Sequence, residues 1–349
     1  MRRLPVFFVL DCSESMIGDN LRNMEEGLQM IVRSLRTDPH ALESVWLSVV
    51  AFAGIAQTVV PLVEVVSFYP PKLPVGSGTS LGAALRVLMR ELDSKVVRTT
   101  PARKGDWKPI VYLFTDGKPT DEIEAAITRW NAEYASKATL IAVAFGRHVD
   151  LKVLSRLTET VLVFEQSTVD DFRKFVQWVT ASVVAQSRSL GAGAGDQPLP
   201  ALDSSFISLI KADAAGLPDE HCVVLTGRCQ KTLRPYVMKY DKVTQQVGTQ
   251  DFTVQASHYS IAGCYPIGED YFAWSDPRGS GFQVHTDELL GFPGCPHCGN
   301  ASAFAMCSCG KLLCVDGPGE GECPWCKKQV RFGNSGAEDS GFDVSRGRG

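Results

Sequence analysis

The sequence predicts two folds in series: a doubly wound, mostly parallel α/β sheet over residues 1–188, then a small β-rich module ending in a ribbon of cysteine knuckles. Three observations carry this. Apolar strand-like runs alternate with helix-like segments up to Gln186, the signature of right-handed βαβ units with helices on both faces. Helical periodicity is nearly absent from Ser204 to Phe292, where short strand-like runs are cut by Gly, Pro and Asp turns. Seven of the eleven cysteines lie between Cys295 and Cys326.

The first apolar run, Val6 to Leu10, is a buried parallel strand that empties into Asp11-Cys12-Ser13-Glu14-Ser15. Met24 to Leu35 carries a helical stripe at Met24, Leu28, Ile31, Val32 and Leu35. Trp46 to Ala53 is a second strand, and Thr58 to Val66 its hairpin or edge partner. A glycine loop, Val75 to Ser80, opens a helix over Leu81 to Val97. Pro109 to Phe114 is a third strand and ends in Thr115-Asp116-Gly117. Helices are predicted at Glu122 to Tyr134, Leu151 to Leu157 and Val169 to Gln186, with strands at Thr139 to Phe145 and Val161 to Phe164, giving a sheet of about six strands.

The glycine-rich stretch Leu190 to Pro200 marks a linker, placed at 189–203. The β-rich module is placed at 204–292, the ribbon at 293–332 and a disordered tail at 333–349. Within the module, strands are read at His221 to Thr226, Tyr236 to Tyr240, Phe252 to Ala256 and Ser260 to Ile267. Arg228, Lys231, Arg234 and Lys239, with Tyr236 and Tyr240 between them, read as a solvated strand face in preference to an RNA surface. Cys222, Cys229 and Cys264 lack knuckle spacing and read as buried thiols.

Composition excludes several classes. With 44% hydrophobic and 21% charged residues and a net charge of −4, there is no global case for nucleic acid or an anionic membrane as partner. No stretch approaches the ~20 apolar residues that span a bilayer. Arg2 and Arg3 ahead of an apolar run imitate a secretory signal, but the run is short and lacks a small-residue cleavage site. A cytoplasmic protein is expected, and clustered cysteines in that compartment point to metal rather than disulfides.

Two sets of residues carry chemistry. Carboxylates and hydroxyls at the carboxyl ends of parallel strands sit where open α/β sheets bind ligands, and their hard oxygens suit Mg²⁺. Asp11 and Ser13 read as ligands or as caps of the next helix, and Thr79 or Ser80 as a cap or a metal hydroxyl. Thr120 or Asp121 reads as a cap for the helix that follows. No GxGxxG or GxxxxGK[ST] phosphate loop is present. Cys12 is read as a core thiol, and His148, the one general-base candidate near the motif, as a surface residue. At the other end, Cys295-Pro-His-Cys298 and Cys323-Pro-Trp-Cys326 are paired knuckles suited to structural Zn²⁺. The preferred ligand set is Cys295, Cys298, Cys323 and Cys326. A set drawing on Cys309 and Cys314 in place of one knuckle stays open. Cys307 to Cys314 is read as a hairpin, and the seven cysteines fall one short of two four-thiolate sites unless His297 joins.

Residues 3–188 resemble the von Willebrand factor A domain, a Rossmann-like fold with a metal-ion-dependent adhesion site (MIDAS) built from DxSxS, a Thr and an Asp. Asp11, Ser13, Ser15, Thr79 and Asp116 match it position for position. The resemblance implies Mg²⁺ (or Mn²⁺ or Ca²⁺) held with one position left for a partner's carboxylate. An A domain followed by a β module and the pattern CPHC, CxCGKxxC, CPWC resembles the bacterial TerY proteins, named from tellurite-resistance gene clusters. That resemblance implies a non-catalytic adaptor in a signalling triad with a serine/threonine kinase and a 2C-type phosphatase, linked to stress response. The alternative expectation is an accessory subunit of an ATP-driven chelatase or remodelling complex.

Overall fold

Strand β1 (Leu4–Asp11) is buried along its whole length and pairs in parallel with a strand on each side. The structure is a computed structural model that describes residues 2–116, 118–145, 151–164, 169–191, 207–209, 221–249, 252–277, 283–332 and 341–347. Contacts divide the chain into two compact units, residues 1–74 with 79–217, and residues 75–78 with 218–349.

In the first unit, β1 ends in one 3₁₀ turn and then α1 (Asp19–Thr37), which buries Met24, Leu28, Ile31, Val32 and Leu35 as its periodicity requires. Asp38 stops it and caps α2 (Pro39–Ser44), accepting from the Ala41 N–H at 3.0 Å, with Pro39 at the first helical position. β2 (Val45–Phe52) follows, with β3 (Ala56–Glu64) antiparallel to it. Then come α3 (Leu81–Lys95), β4 (Ile110–Thr115), α4 (Glu124–Glu133), β5 (Thr139–Phe145), α5 (Leu151–Ser155), β6 (Val161–Phe164), α6 (Val169–Gly191) and β7 (Ile207–Leu209). The sheet order is β3-β2-β1-β4-β5-β6-β7, parallel except at its two edges.

Side-chain alternation splits the core into two layers. Phe7, Val9, Val111 and Leu113 pack with α3 and α4 on one face. On the other, an aromatic series runs from Phe8 through Tyr112 and Phe114 to Phe175 of α6. After β1 the chain builds outward on one side through β2, and then returns to add β4 on the other. The switch point of the sheet therefore lies between the carboxyl ends of β1 and β4.

Two expectations need correcting here. The sheet has seven strands, because Ile207–Leu209, assigned from sequence to the β-rich module, pairs with β6. Helix α6 runs to Gly191 and takes the start of the expected linker, whose remainder lies outside the described residues, as does His148.

The second unit is built on a six-stranded sheet. β8 (Cys222–Arg228), β9 (Pro235–Thr249) and β10 (Phe252–Pro266) form an antiparallel meander. The two short strands expected at the end of this meander are one long strand, β10, with a bulge between Ile261 and Gly263. The short helix α7 (Asp270–Trp274) follows, which the sequence reading did not anticipate. β11 (Gln283–His285), β12 (Leu289–Leu290), β13 (Ser302–Met306) and β14 (Leu312–Val315) come next. The order is β12-β10-β9-β8-β14-β13, with β14 parallel to β8 and the β13–β14 hairpin at the edge, as expected for Cys307 to Cys314. β15 (Gly319–Glu322) and β16 (Gln329–Phe332) frame the second knuckle.

The tail is not wholly disordered. β17 (Asp343–Ser345) pairs with β11, buries Val344, and the Gly347 N–H donates to the Val224 carbonyl at 2.7 Å. One apolar residue between polar neighbours, in a glycine-rich segment, leaves too weak a pattern to read as a strand.

Candidate metal centres

Four of the five oxygen-bearing residues picked out from sequence form a hydrogen-bonded chain at the switch point. The loop leaving β1 turns back on itself, so that the Ser13 N–H donates to Asp11 Oδ1 at 2.9 Å. The Ser13 and Ser15 hydroxyls lie 3.0 Å apart, and Ser15 Oγ donates to Asp116 Oδ1 at 2.8 Å. From β4, the Thr115 hydroxyl donates to Asp11 Oδ2 at 2.6 Å. Asp11, Ser13, Ser15 and Thr115 are all buried. The Cys12 N–H bonds the Phe52 carbonyl at 2.7 Å, which fixes the loop to the end of β2. The Cys12 thiol itself is fully buried and aimed at the Leu10 carbonyl, and burial holds it well above its ordinary pKa, as expected of a core thiol.

Thr79 is held through its backbone. Its N–H donates to Thr120 Oγ1 at 2.9 Å and its carbonyl accepts from the Thr120 N–H at 2.9 Å, tying the glycine loop to the segment after Asp116. Ser80 bonds back to the Ala53 and Gly54 carbonyls at the end of β2. The expected caps are redistributed: Asp121 caps α3, not the following α4, by accepting from the Gly82 and Ala83 N–H groups at 3.0 and 2.9 Å. Neither Thr79 nor Ser80 caps α3 with its side chain. Thr79 is itself buried, and its hydroxyl caps neither helix.

Burial pushes the Asp11 carboxyl up to about 6, against donation from Ser13 and Thr115 that favours the charged form. A carboxylate this deeply buried, joined through two serine hydroxyls to a second aspartate, is a donor set that a divalent cation would satisfy. It is oxygen throughout and carries two negative charges, which fits a hard ion.

The cysteines form two clusters, and not along the lines expected. Cys229, Cys295, Cys298 and Cys314 make one group; Cys307, Cys309, Cys323 and Cys326 make the other. The set preferred from sequence, Cys295 and Cys298 with Cys323 and Cys326, is split between them. The alternative set is split as well, since Cys309 joins the second knuckle and Cys314 the first. All eleven cysteines are free thiols. The Sγ atoms of Cys298 and Cys314 are 3.7 Å apart, those of Cys307 and Cys326 3.8 Å, and those of Cys309 and Cys323 3.9 Å. A tetrahedral ion with Zn–S bonds of about 2.3 Å requires edges of about 3.8 Å, so the spacing fits zinc.

Cys229 is the ligand that spacing did not reveal. The cue is the backbone. Its N–H donates to the Arg234 carbonyl and its carbonyl accepts from the Leu233 N–H. Cys295 makes the same pair of bonds with Asn300 and Gly299, and Cys323 with Lys328 and Lys327. The fourth residue after each cysteine has positive φ: Leu233 at 61°, Gly299 at 74° and Lys327 at 62°. Cys229 thus opens a knuckle in which Thr232 stands where Cys298 and Cys326 stand in the others, and the Thr232 N–H donates to the Cys229 sulfur at 3.3 Å. His297 does not join; its Nε2 bonds the Pro235 carbonyl at 2.8 Å.

The two sites interleave along the chain. Cys307 and Cys309 of one lie between Cys298 and Cys314 of the other, so strand β14 leads from one site to the next. In each cluster one thiol is prepared to ionise first. Burial opposes ionisation of Cys229, but donation from Thr232, Cys298 and the Lys231 N–H outweighs it and brings the thiol down to about 6. Cys307 is likewise brought down to about 7, against burial, by the Cys309 N–H and its thiol neighbours. The basic run is not an open strip, since Tyr236 and Tyr240 are fully buried. The Arg228 guanidinium lies over Trp325 and Phe272 and pairs with Glu269.

Two family models match the chain: the von Willebrand factor type A domain over residues 6–178 and the TerY-C metal binding domain over residues 219–349. Among solved structures it is similar to a von Willebrand factor type A protein from Catenulispora acidiphila, with 15% identity over 81% of this chain and 61% of that one, at a TM-score of 0.42. It is also similar to proximal thread matrix protein 1 from the mussel byssus, with 17% identity over 52% of this chain and 48% of that one, at a TM-score of 0.38. The chain thus spans about half the length of the mussel protein. No curated protein matches. Among the described residues, no helix is long and apolar enough to cross a membrane.

Proposed function

Since the chain belongs to the TerY-type proteins, with a von Willebrand factor type A domain followed by a TerY-C metal binding domain, we propose that it is a non-catalytic, metal-dependent protein-interaction adaptor. The observation that carries this reading is the hydrogen-bonded chain Asp11–Ser13–Ser15–Asp116 at the switch point of the sheet. Asp11, Ser13, Ser15, Thr79 and Asp116 would hold Mg²⁺, which supplies Lewis acidity toward an aspartate or glutamate carboxylate of a partner. Only Asp11 and Asp116 offer charge in this set, so the ion's own charge is balanced without a third acid. A partner carboxylate entering the coordination shell then meets no excess negative charge.

Thr115 and the Ser13 N–H hold Asp11 in one orientation, and the Thr120 bonds to Thr79 hold the glycine loop against the Asp116 segment. This pre-positioning lowers the entropy that binding must offset. The thiolate sites hold the second unit in shape, each ion contributing directly to folding. In the reading we favour, the partners are a 2C-type serine/threonine phosphatase and a serine/threonine kinase in the cytoplasm.

The test is capture of such a phosphatase or kinase by the full chain in Mg²⁺ and in buffer without added divalent ions, a safer contrast than chelator because chelator also strips the thiolate sites. Capture should be lost without Mg²⁺ and in Asp11→Ala, and the purified chain should turn over no phosphoester. Equal capture by wild type and Asp11→Ala would sink the proposal.

A further inference from the structure

The segment from Lys95 to Lys108 lies at the opposite edge of the sheet from Asp11, because the Trp107 N–H bonds the Arg3 carbonyl just ahead of β1. The eight residues of β1 separate the two edges by about 25 Å, at ~3.3 Å per residue. The segment carries Lys95, Arg98, Arg103, Lys104 and Lys108, against a single acid, Asp106.

It is a built hairpin. Asp106, whose side chain is 5% exposed, accepts from Arg3 at 2.8 and 2.5 Å and from the Val97 N–H at 2.7 Å. Arg2 bonds the Gly105 and Asp106 carbonyls and lies over the Trp107 ring, 3.5 Å from its centroid. The Thr99 hydroxyl accepts from the Gly105 N–H at 3.0 Å, and any β-carbon at Gly105 would collide with the backbone of Val97 to Thr99. At the tip, Thr100 and Arg103 exchange both backbone bonds, 2.8 and 3.2 Å, around Pro101-Ala102. Proline after Thr100 is the residue that presets such a turn.

Across a doubly bonded antiparallel pair the two side chains stand on the same face, with Cα atoms about 5.5 Å apart. Thr100 and Arg103 are therefore neighbours, and Arg98, Thr100, Pro101, Arg103 and Lys104 are all exposed. The Thr100 hydroxyl makes no hydrogen bond, and Arg103 and Lys104 make no ion pair, among the described residues. An unused hydroxyl, followed by proline and facing the unpaired Arg103 across a two-residue turn, has the chemistry of a phosphate acceptor.

We propose that Thr100 is a phosphoacceptor site, and that Arg103 clamps the phosphate it receives. The phosphoryl donor is ATP in a proline-directed serine/threonine kinase. Thr100 Oγ attacks the γ-phosphorus, an O–P bond forms, the bond to the β–γ bridging oxygen breaks and ADP leaves, while the hydroxyl proton passes to the kinase's base. The phosphate adds a charge of about −1.5 to −2. It lands across the turn from Arg103, with Lys104 next in the chain and Arg98 already paired with Asp93 at 2.8 Å, and it cancels most of the tip's unpaired positive charge, so modification switches this edge of the domain from basic to nearly neutral. Nothing in this site depends on the metal cluster or on the adaptor reading.

The test uses the full chain, a proline-directed serine/threonine kinase and ATP, with mass mapping of the product. Phosphate should appear on Thr100, vanish in Thr100→Ala and persist in Thr100→Ser. Phosphorus NMR of the product should place the second phosphate pKa at least ~0.5 below the ordinary ~6, and Arg103→Gln should restore it. Failure of the folded chain to take phosphate at Thr100, or a phosphate pKa indifferent to Arg103→Gln, would overturn the assignment.

Discussion

Asp11 sets a conflict between stability and function. Without a divalent ion its carboxyl titrates near 6 in the folded chain, against ~3.9 when unfolded, because burial disfavours the charge. The folded state then holds the proton more tightly. The resulting stabilisation is complete below about pH 4 and is lost as pH rises through about 6, an effect on the order of 3 kcal/mol. Asp11→Asn removes the buried charge, so in buffer free of divalent ions at pH 7.5 it should melt several degrees above wild type. Below pH 4 the two should converge. Added Mg²⁺ should raise the melting point of wild type alone. Scanning calorimetry across about pH 3 to 8 checks this, and identical curves for the two proteins would remove the buried-charge argument. The oxygen cluster was legible in sequence because Asp11 and Asp116 each directly follow an unmistakable apolar strand. What was not legible is the local division of labour: Asp121 caps the helix opened by the glycine loop, a contact between chain segments that no spacing announces.

At the scale of elements, the knuckle is the unit that repeats, and the sequence shows only its paired-cysteine version. Cys229-Gln-Lys-Thr-Leu folds into the same turn with threonine in the second position, and Leu233 takes a positive φ that glycine would ordinarily hold. Its partners are brought to it by the parallel pairing of β14 with β8, which is tertiary information. The helices of the first unit, by contrast, were readable because amphipathic stripes such as Met24 to Leu35 report burial locally. Two interleaved sites give a sharp prediction. The wild-type chain should carry two zinc ions and Cys229→Ser one, measured by plasma emission spectrometry on protein purified without chelator. A single ion in wild type, undiminished in Cys229→Ser, would restore the one-site arrangement that spacing alone favours.

Over the whole molecule, among the described residues, both four-cysteine clusters lie in the second unit and the oxygen cluster lies in the first. In the proposed reading zinc would serve folding, whereas the oxygen site, whose two acids are joined by neutral hydroxyls, would keep a position for a partner. The most direct measurement is calorimetric titration of the zinc-loaded full chain with Mn²⁺, a hard ion standing in for Mg²⁺. Wild type should take up one ion beyond its zinc, and Asp116→Ala and Thr79→Ala should each bind it at least ~10-fold more weakly, a loss of about 1.4 kcal/mol or more. Uptake of Mn²⁺ undiminished in both variants would contradict the account.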